Sequence, residues 1–186
     1  FMPGRLTAFA RLLRKRRDFR RIWTCNCVSL IGDWLSYIAV SIISIEQGEG
    51  ALAIALVLIA HTLPTGLISP ISGPLADRFD RRMLLVISYV GASVLTLGMW
   101  AAAGAGQVYV LQGLLLARGL MSGLGITART SSIPMVVEKE ELQLANTLLG
   151  LTWSILFTTG TALGGVAAAL LSPTGAILLD AGTFLV

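Results

Sequence analysis

The chain has 186 residues, of which 55% are apolar and 13% charged, and its mean hydropathy is +0.80. A water-facing domain carries about a quarter charged residues, so these proportions exclude a soluble enzyme, a secreted disulfide scaffold and a disordered tail. Apolar stretches recur about every 30 residues, close to one bilayer-spanning helix plus a short loop, and the chain reads as an all-α, multi-span membrane protein.

The net charge of +4 is unevenly distributed. Eight of the 14 Lys and Arg lie in residues 1–21: Arg5, Arg11, Arg14, Lys15, Arg16, Arg17, Arg20 and Arg21. Beside a hydrophobic span such a cluster sets topology and meets anionic lipid headgroups, so residues 1–21 read as a basic cytoplasmic or interfacial segment. Phe9, Leu12, Leu13 and Phe19 interleave with the charges, which predicts a short helix lying in the interface. Nucleic acid is not an expected partner, because the rest of the chain has no basic face. No small-residue cleavage site follows the first apolar run, so a cleavable signal peptide is not expected. Cys25 and Cys27 lack the further ligands of a disulfide or metal framework and read as small apolar core residues. No metal or cofactor is expected.

Residues 22–186 hold the predicted transmembrane helices. Span one runs from about Ile22 to Ile45 and closes at the turn Glu46-Gln47-Gly48-Glu49-Gly50. Span two runs from Ala51 to Ala76, with Pro64 and Pro70 predicting kinks, and the charged loop Asp77-Arg78-Phe79-Asp80-Arg81-Arg82 follows. Span three covers Met83 to Ala103 and turns at Gly104-Ala105-Gly106-Gln107. Span four covers Val108 to Thr127, and its exit carries Arg129, Glu138, Lys139, Glu140 and Glu141. Span five covers Leu142 to Leu171, and Ser172-Pro173-Thr174-Gly175 turns the chain into a sixth apolar segment, Ala176 to Val186. That segment has about eleven residues where a span needs about 20, which predicts a truncated sixth helix in part of a longer protein. A first residue of Phe1 agrees with that, with Met2 as an alternative start.

Orientation follows from Lys and Arg. Every positive charge except Arg118 lies in the amino-terminal segment, the 77–82 loop or the 128–141 loop, and the other three loops hold none. The amino terminus is therefore expected in the cytoplasm of a multi-pass protein of the cell (inner) membrane.

The segment Gly73-Pro74-Leu75-Ala76-Asp77-Arg78-Phe79-Asp80-Arg81-Arg82 resembles the loop between helices two and three of the major facilitator superfamily. It keeps Gly73, Leu75, Ala76, Asp77, Arg78, Arg81 and Arg82, and departs at Asp80, where glycine is usual; aspartate adopts a left-handed turn conformation less freely than glycine. Phe19-Arg20-Arg21-Ile22-Trp23, Gly32-Asp33-Trp34, and Val137-Glu138-Lys139-Glu140-Glu141-Leu142 with Ala145-Asn146 resemble the branch containing bacterial siderophore and drug exporters. The resemblance implies the amino-terminal six-helix half of a twelve-helix fold built from inverted three-helix repeats, with the carboxy-terminal half as its partner. It also implies that Gly73, Asp77, Arg78, Arg81 and Arg82 form a cytoplasmic gate.

Gly119 and Gly123 in span four, and Gly160 and Gly164 in span five, have helix-packing spacing. The second group loosely resembles an antiporter signature and lacks its proline. Four ionisable residues lie inside spans: Asp33, His61, Arg118 and Asp180. At about 1.5 Å per residue all four fall in one slab near the midplane, where transporter sites lie. Asp33 and Arg118 are the candidate pair, Asp180 a packing or relay residue, and His61 a group suited to titration. Alternatively, Arg118 snorkels and His61 is a satisfied core residue. A single histidine and no catalytic cluster argue against an enzyme. The expected function is a secondary active, proton-coupled exporter of a small amphipathic solute, drug- or siderophore-like. The alternative is a small membrane protein that assists assembly without transport.

Overall fold

With no water in the hydrocarbon core, a backbone segment must satisfy its own hydrogen bonds, and a helix does so within one stretch of chain. The structure, a computed structural model, describes residues 3–47 and 50–184, excepting the side chains of residues 3–6, 69, 72, 76 and 77. All regular structure among them is helical: α1 (Pro3–Lys15), α2 (Arg17–Glu46), α3 (Gly50–Arg78), α4 (Arg81–Gly104), α5 (Val108–Val136), a 3-10 turn (Lys139–Glu141) and α6 (Leu142–Thr183). Five of these, α2 to α6, are long and apolar enough to cross a bilayer. Gly48 and Glu49 of the expected first turn lie outside the described residues.

Several boundaries differ from the apolar pattern. α2 begins at Arg17, inside the basic segment, because only Arg16 leaves helical geometry (φ −106, ψ 93) before the chain resumes it. α5 runs on past Thr127 to Val136. There Thr130 and Ser132 donate to the carbonyls of Ile126 and Ala128 at 2.7 Å each, so their hydroxyls are satisfied inside the helix. α3 continues through Pro64, Pro70 and Pro74. The expected turn after Leu171 is a kink within α6, at Ser172 (φ 69, ψ 157). Ser172 Oγ accepts from Gly175 N at 3.3 Å, and Pro173 follows it where a helix start tolerates proline. Asp80 does not take the left-handed conformation that glycine would offer. At φ −59 and ψ 122 it caps α4, accepting from Arg82 N at 2.7 Å and Met83 N at 3.3 Å, a position where a negative charge is favoured.

α2 packs chiefly on α6, and α3 and α4 on α5. The close approaches run over glycines. A Cβ on Gly119 would lie 2.8 Å from Pro64 Cγ, and one on Gly123 would collide with Ile68. One on Gly160 would lie 2.8 Å from Trp34 Cδ1, and one on Gly164 would lie 2.9 Å from Ile38 Cγ1. Contacts of this kind replace the hydrophobic drive that lipid does not supply. Large apolar side chains such as Leu52, Val94 and Leu170 point outward, exposed.

Of three buried apolar clusters among the described residues, two are large. One holds Val40, Ile43, Val57, Met99, Leu111, Leu115 and Ile177. The other, at the end carrying the basic segment, holds Phe9, Leu12, Phe19, Ile133, Val137, Ala145 and Leu148. The second cluster corrects one expectation. The apolar face of α1 is buried against α2, α5 and α6, and Phe9 and Leu12 are covered by protein where the sequence alone suggested lipid. Cys25 and Cys27 are half-buried, not core residues.

Candidate functional site

Between the two apolar clusters the bundle carries a polar layer. Arg118, from the middle of α5, is 3% exposed, and its Nη2 donates to Asp33 Oδ1 on α2. The same nitrogen lies 3.3 Å from Asp180 Oδ2 on α6. Asp180 is wholly buried and also accepts from Ser36 Oγ and Thr183 Oγ1. The guanidinium carbon stands 5.4 Å from the Phe184 ring centroid. A buried charge without partners is costly in hydrocarbon, and here one cation faces two carboxylates from two different helices. Asp33 differs from Asp180 in keeping 22% of its side chain exposed.

That exposure opens onto a cavity of about 600 Å³, within the range of small-molecule sites. Asp33 and Arg118 share its wall with an aromatic group. Trp34 and Phe157 meet edge to face at 4.9 Å, Trp153 stacks on Phe157 at 5.6 Å, and His61 sits 4.7 Å from Tyr37 and 5.3 Å from Trp34. Thr62, Thr65 and Thr161 add hydroxyls. The four ionisable span residues are thus brought together: three in direct contact, and His61 across the same cavity. Among the described residues no group of three or more His, Cys, Asp or Glu could hold a metal ion.

The arginine-rich loop joins α3 to α4. Arg81 Nη1 donates to Ser131 O at 2.9 Å and lies 2.6 Å from Met135 Sδ, tying the start of α4 to the end of α5. Arg78 and Arg82 are exposed. Asp77 lies in the last turn of α3, and its side chain falls outside the described residues. A Cβ on Gly73 would meet nothing within 4 Å among the described residues, so none of them makes a close helix approach there.

On the same end, Lys15 and Arg16 clasp the 3-10 turn. Arg16 Nε lies 2.8 Å from Glu141 Oε2, its Nη2 pairs with Glu138, and Lys15 Nζ lies 3.3 Å from Glu141 Oε1 and 3.5 Å from Glu138 Oε2. The hydrogen bond from Arg16, then the charges of Arg16 and Lys15, hold the Glu138 carboxyl below the usual glutamate value. Glu138 and Glu141 also form a capping box. The acidic motif thus ties α1 to the α5–α6 junction.

Sequence reasoning missed what five residues contribute. Gly32, where any Cβ would collide with Asp180 and Thr183, is a close-approach glycine outside the small-residue runs. Ser36 lies one turn beyond Asp33 on the same face of α2, and that spacing was its only signal. Trp34 and Trp153, which look scattered along the chain, meet Phe157 in the cavity wall. Trp23, near a span end, donates to Thr152 Oγ1 on α6 at 2.9 Å.

The sequence profile of the transmembrane secretion effector family matches residues 6–186. The chain is 26% identical over 174 residues to the uncharacterised MFS-type transporter YfiS of Bacillus subtilis, covering 93% of this chain and 41% of that protein. It is 31% identical over 143 residues to an uncharacterised MFS-type transporter of Mycobacterium tuberculosis, covering 74% of this chain and 32% of that protein. The chain therefore spans less than half the length of these curated relatives. No solved structure matches it. An all-helical bundle with a buried charged triad beside an aromatic cavity, matched along nearly its whole length by that profile, belongs to the transmembrane secretion effector family of major facilitator transporters, and is not an enzyme.

Proposed function

We propose that the whole protein is a proton-coupled exporter of a small amphipathic solute, drug- or siderophore-like, working by alternating access, and that this chain is the amino-terminal half of its twelve-helix fold. The observation that carries the reading is Asp33: one carboxylate both pairs with Arg118 and borders a 600 Å³ aromatic cavity. A proton on Asp33 would remove one of the two negative partners of Arg118, so protonation and the packing of α2, α5 and α6 become linked. The aromatic wall suits an amphipathic solute, since flat rings offer large apolar area with defined edges and faces. The family's description as a secretion effector supports export.

The cell membrane is the proposed location, with the amino terminus, the 77–82 loop and the 128–141 loop in the cytoplasm, on the strength of the Lys and Arg distribution. Gly73, Asp77, Arg78, Arg81 and Arg82 form the cytoplasmic gate, with the missing contacts of Gly73 supplied by the carboxy-terminal half. Arg11, Arg14 and Arg17, exposed on α1 or at the start of α2, meet anionic lipid headgroups.

The test is the full-length carrier in proteoliposomes with a panel of fluorescent amphipathic dyes. Asp33→Asn should abolish dye movement driven by a proton gradient while the protein remains inserted. Wild-type rates with unchanged pH dependence would overturn the assignment.

A further inference from the structure

A second, much smaller cavity of about 30 Å³ adjoins the first over Leu30, Asp33, Ser122 and Ile126, and extends toward the end of the bundle that carries α1. Asp33 lines both cavities. The small one is walled by Asn26 and Ser29 from α2, Ser88 from α4, and Ser122 and Arg129 from α5. Asn26 lies about 10 Å, or two helical turns, before Asp33. Two of the lining groups are unusual: Asn26 is 3% exposed and Ser88 2% exposed, yet among the described residues neither Asn26 Oδ1 nor Ser88 Oγ has a hydrogen-bond partner.

Buried polar groups are rarely left unpaired, and an orphan costs about 1–3 kcal/mol. A water needs about 10–15 Å³ and two to four polar partners, so the space and the lining fit one or two waters. A metal cation fits worse, because Arg129 lines the space and Arg118 is bonded to the Asp33 carboxylate that would have to coordinate it.

We propose that this cavity holds bound water anchored by Asn26 and Ser88, and that Asp33 exchanges its proton with the basic end of the protein along it, on a route separate from the solute cavity. The step balances when the proton comes from bulk solution. Hydronium at the basic end protonates the outermost water, each water passes one proton inward, and the innermost gives one to the Asp33 carboxylate. Every water in the relay ends neutral. The charged and titratable groups around Asp33 are Arg118 and Arg129 on α5, Asp180 on α6 behind Arg118, Tyr89 on α4, and His61 across the solute cavity. Solute and proton would then reach Asp33 through different cavities, so a bound solute need not block the proton. The proton route rests on Asp33 being the coupling group; the hydration of the cavity does not.

The experiment uses the full-length carrier without other cysteines, in inverted membrane vesicles. Ser88→Cys should react with Ag⁺ about tenfold or more faster than Thr96→Cys, a buried position on the same helix, since only a water-accessible thiol forms the reactive thiolate. Asn26→Leu should slow that reaction, and dyes filling the solute cavity should not. Equal reactivity of Ser88→Cys and Thr96→Cys would mean a dry cavity and overturn the proposal. In proteoliposomes, Asn26→Leu with Ser88→Val should cut gradient-driven dye flux about tenfold or more while dye-for-dye exchange, which moves no net proton, persists. Unchanged gradient-driven flux in this variant would overturn the route. If Ser88→Cys reacts but Asp33→Asn transports normally, the hydrated cavity stands and the coupling role of Asp33 falls.

Discussion

Gly32 on α2 stands against the carboxyl group of Asp180 on α6 so closely that no Cβ fits between the two helices. The missing side chain lets a wholly buried carboxylate reach both Ser36 and Arg118. Gly32→Ala should therefore push Asp180 aside and destabilise the protein by about 1–3 kcal/mol. Gly66→Ala, where a Cβ meets nothing within 4 Å, should not. Thermal unfolding of the purified full-length carrier in detergent makes the comparison, and equal midpoints for the two variants would contradict this packing.

Arg118 has two carboxylate partners, whereas Asp33 is bonded to Arg118 alone among the ion pairs of the layer. Asp33→Asn leaves Arg118 still 3.3 Å from Asp180, so the arginine is not stranded as the pairing of Asp33 and Arg118 alone would suggest. Arg118→Leu leaves two carboxylates in the bundle without their cation, and breaking a buried pair in this way costs about 3–5 kcal/mol. Arg118→Leu should be the less stable variant by the same unfolding measurement. The reverse order would show that Asp180 contributes nothing to holding Arg118.

The clasp of α1 on the 3-10 turn should be acid-sensitive. Glu138 is held below its ordinary value of 4.5 by Arg16 and Lys15. A depressed carboxylate contributes stability that is complete above 4.5 and fades as pH falls through its lowered native value. A spin label on Ala10→Cys, with Cys25 and Cys27 replaced, should gain mobility only below pH 4.5, and at neutral pH in Glu138→Gln at high salt, which screens the remaining exposed pairs. A mobility change centred between about pH 6 and 7, where histidine titrates, would implicate another group.

Ser172 occupies backbone space that glycine enters freely and other residues enter at a cost of about 1–3 kcal/mol. Glycine at a helix start loses only a few tenths of a kcal/mol relative to serine, whereas alanine loses about 1 kcal/mol. Ser172→Gly should thus match or exceed the parent in stability, and Ser172→Ala should fall below both. A Ser172→Gly protein that unfolds earlier than Ser172→Ala would rule out this account of the kink.

Membrane orientation is checked by thiol labelling in intact cells. With Cys25 and Cys27 replaced, a cysteine at Gln107 should react with an impermeant reagent, and one at Phe79 should not. Both positions are exposed in the structure, so burial cannot account for a missing signal. The reversed pattern would invert the proposed topology.

Much of this protein is determined by local sequence. That the chain forms membrane-length helices, and roughly where each lies, follows from apolar length, because a backbone in lipid has no other way to satisfy its hydrogen bonds. That the last two segments run on as one kinked α6 does not. The four ionisable span residues stand out for the same reason: a charge in hydrocarbon needs partners, so Asp33, His61, Arg118 and Asp180 are conspicuous before any fold is known. Tertiary structure alone decided which partner each has. Asp33 and Arg118 are 85 residues apart and Ser36 and Asp180 are 144 apart, separations over which no helical period carries information. Gly32 looks like any glycine until α6 lies against it, and Trp34 looks unrelated to Phe157, one turn from Trp153 on α6, until α2 brings it there. α1 shows the limit most plainly. Its amphipathic pattern fits a lipid interface and a protein groove equally well, since both offer an apolar floor beneath a charged rim. Only the packed bundle, with Phe19, Ile133 and Leu148 beneath Phe9 and Leu12, decides which floor it has.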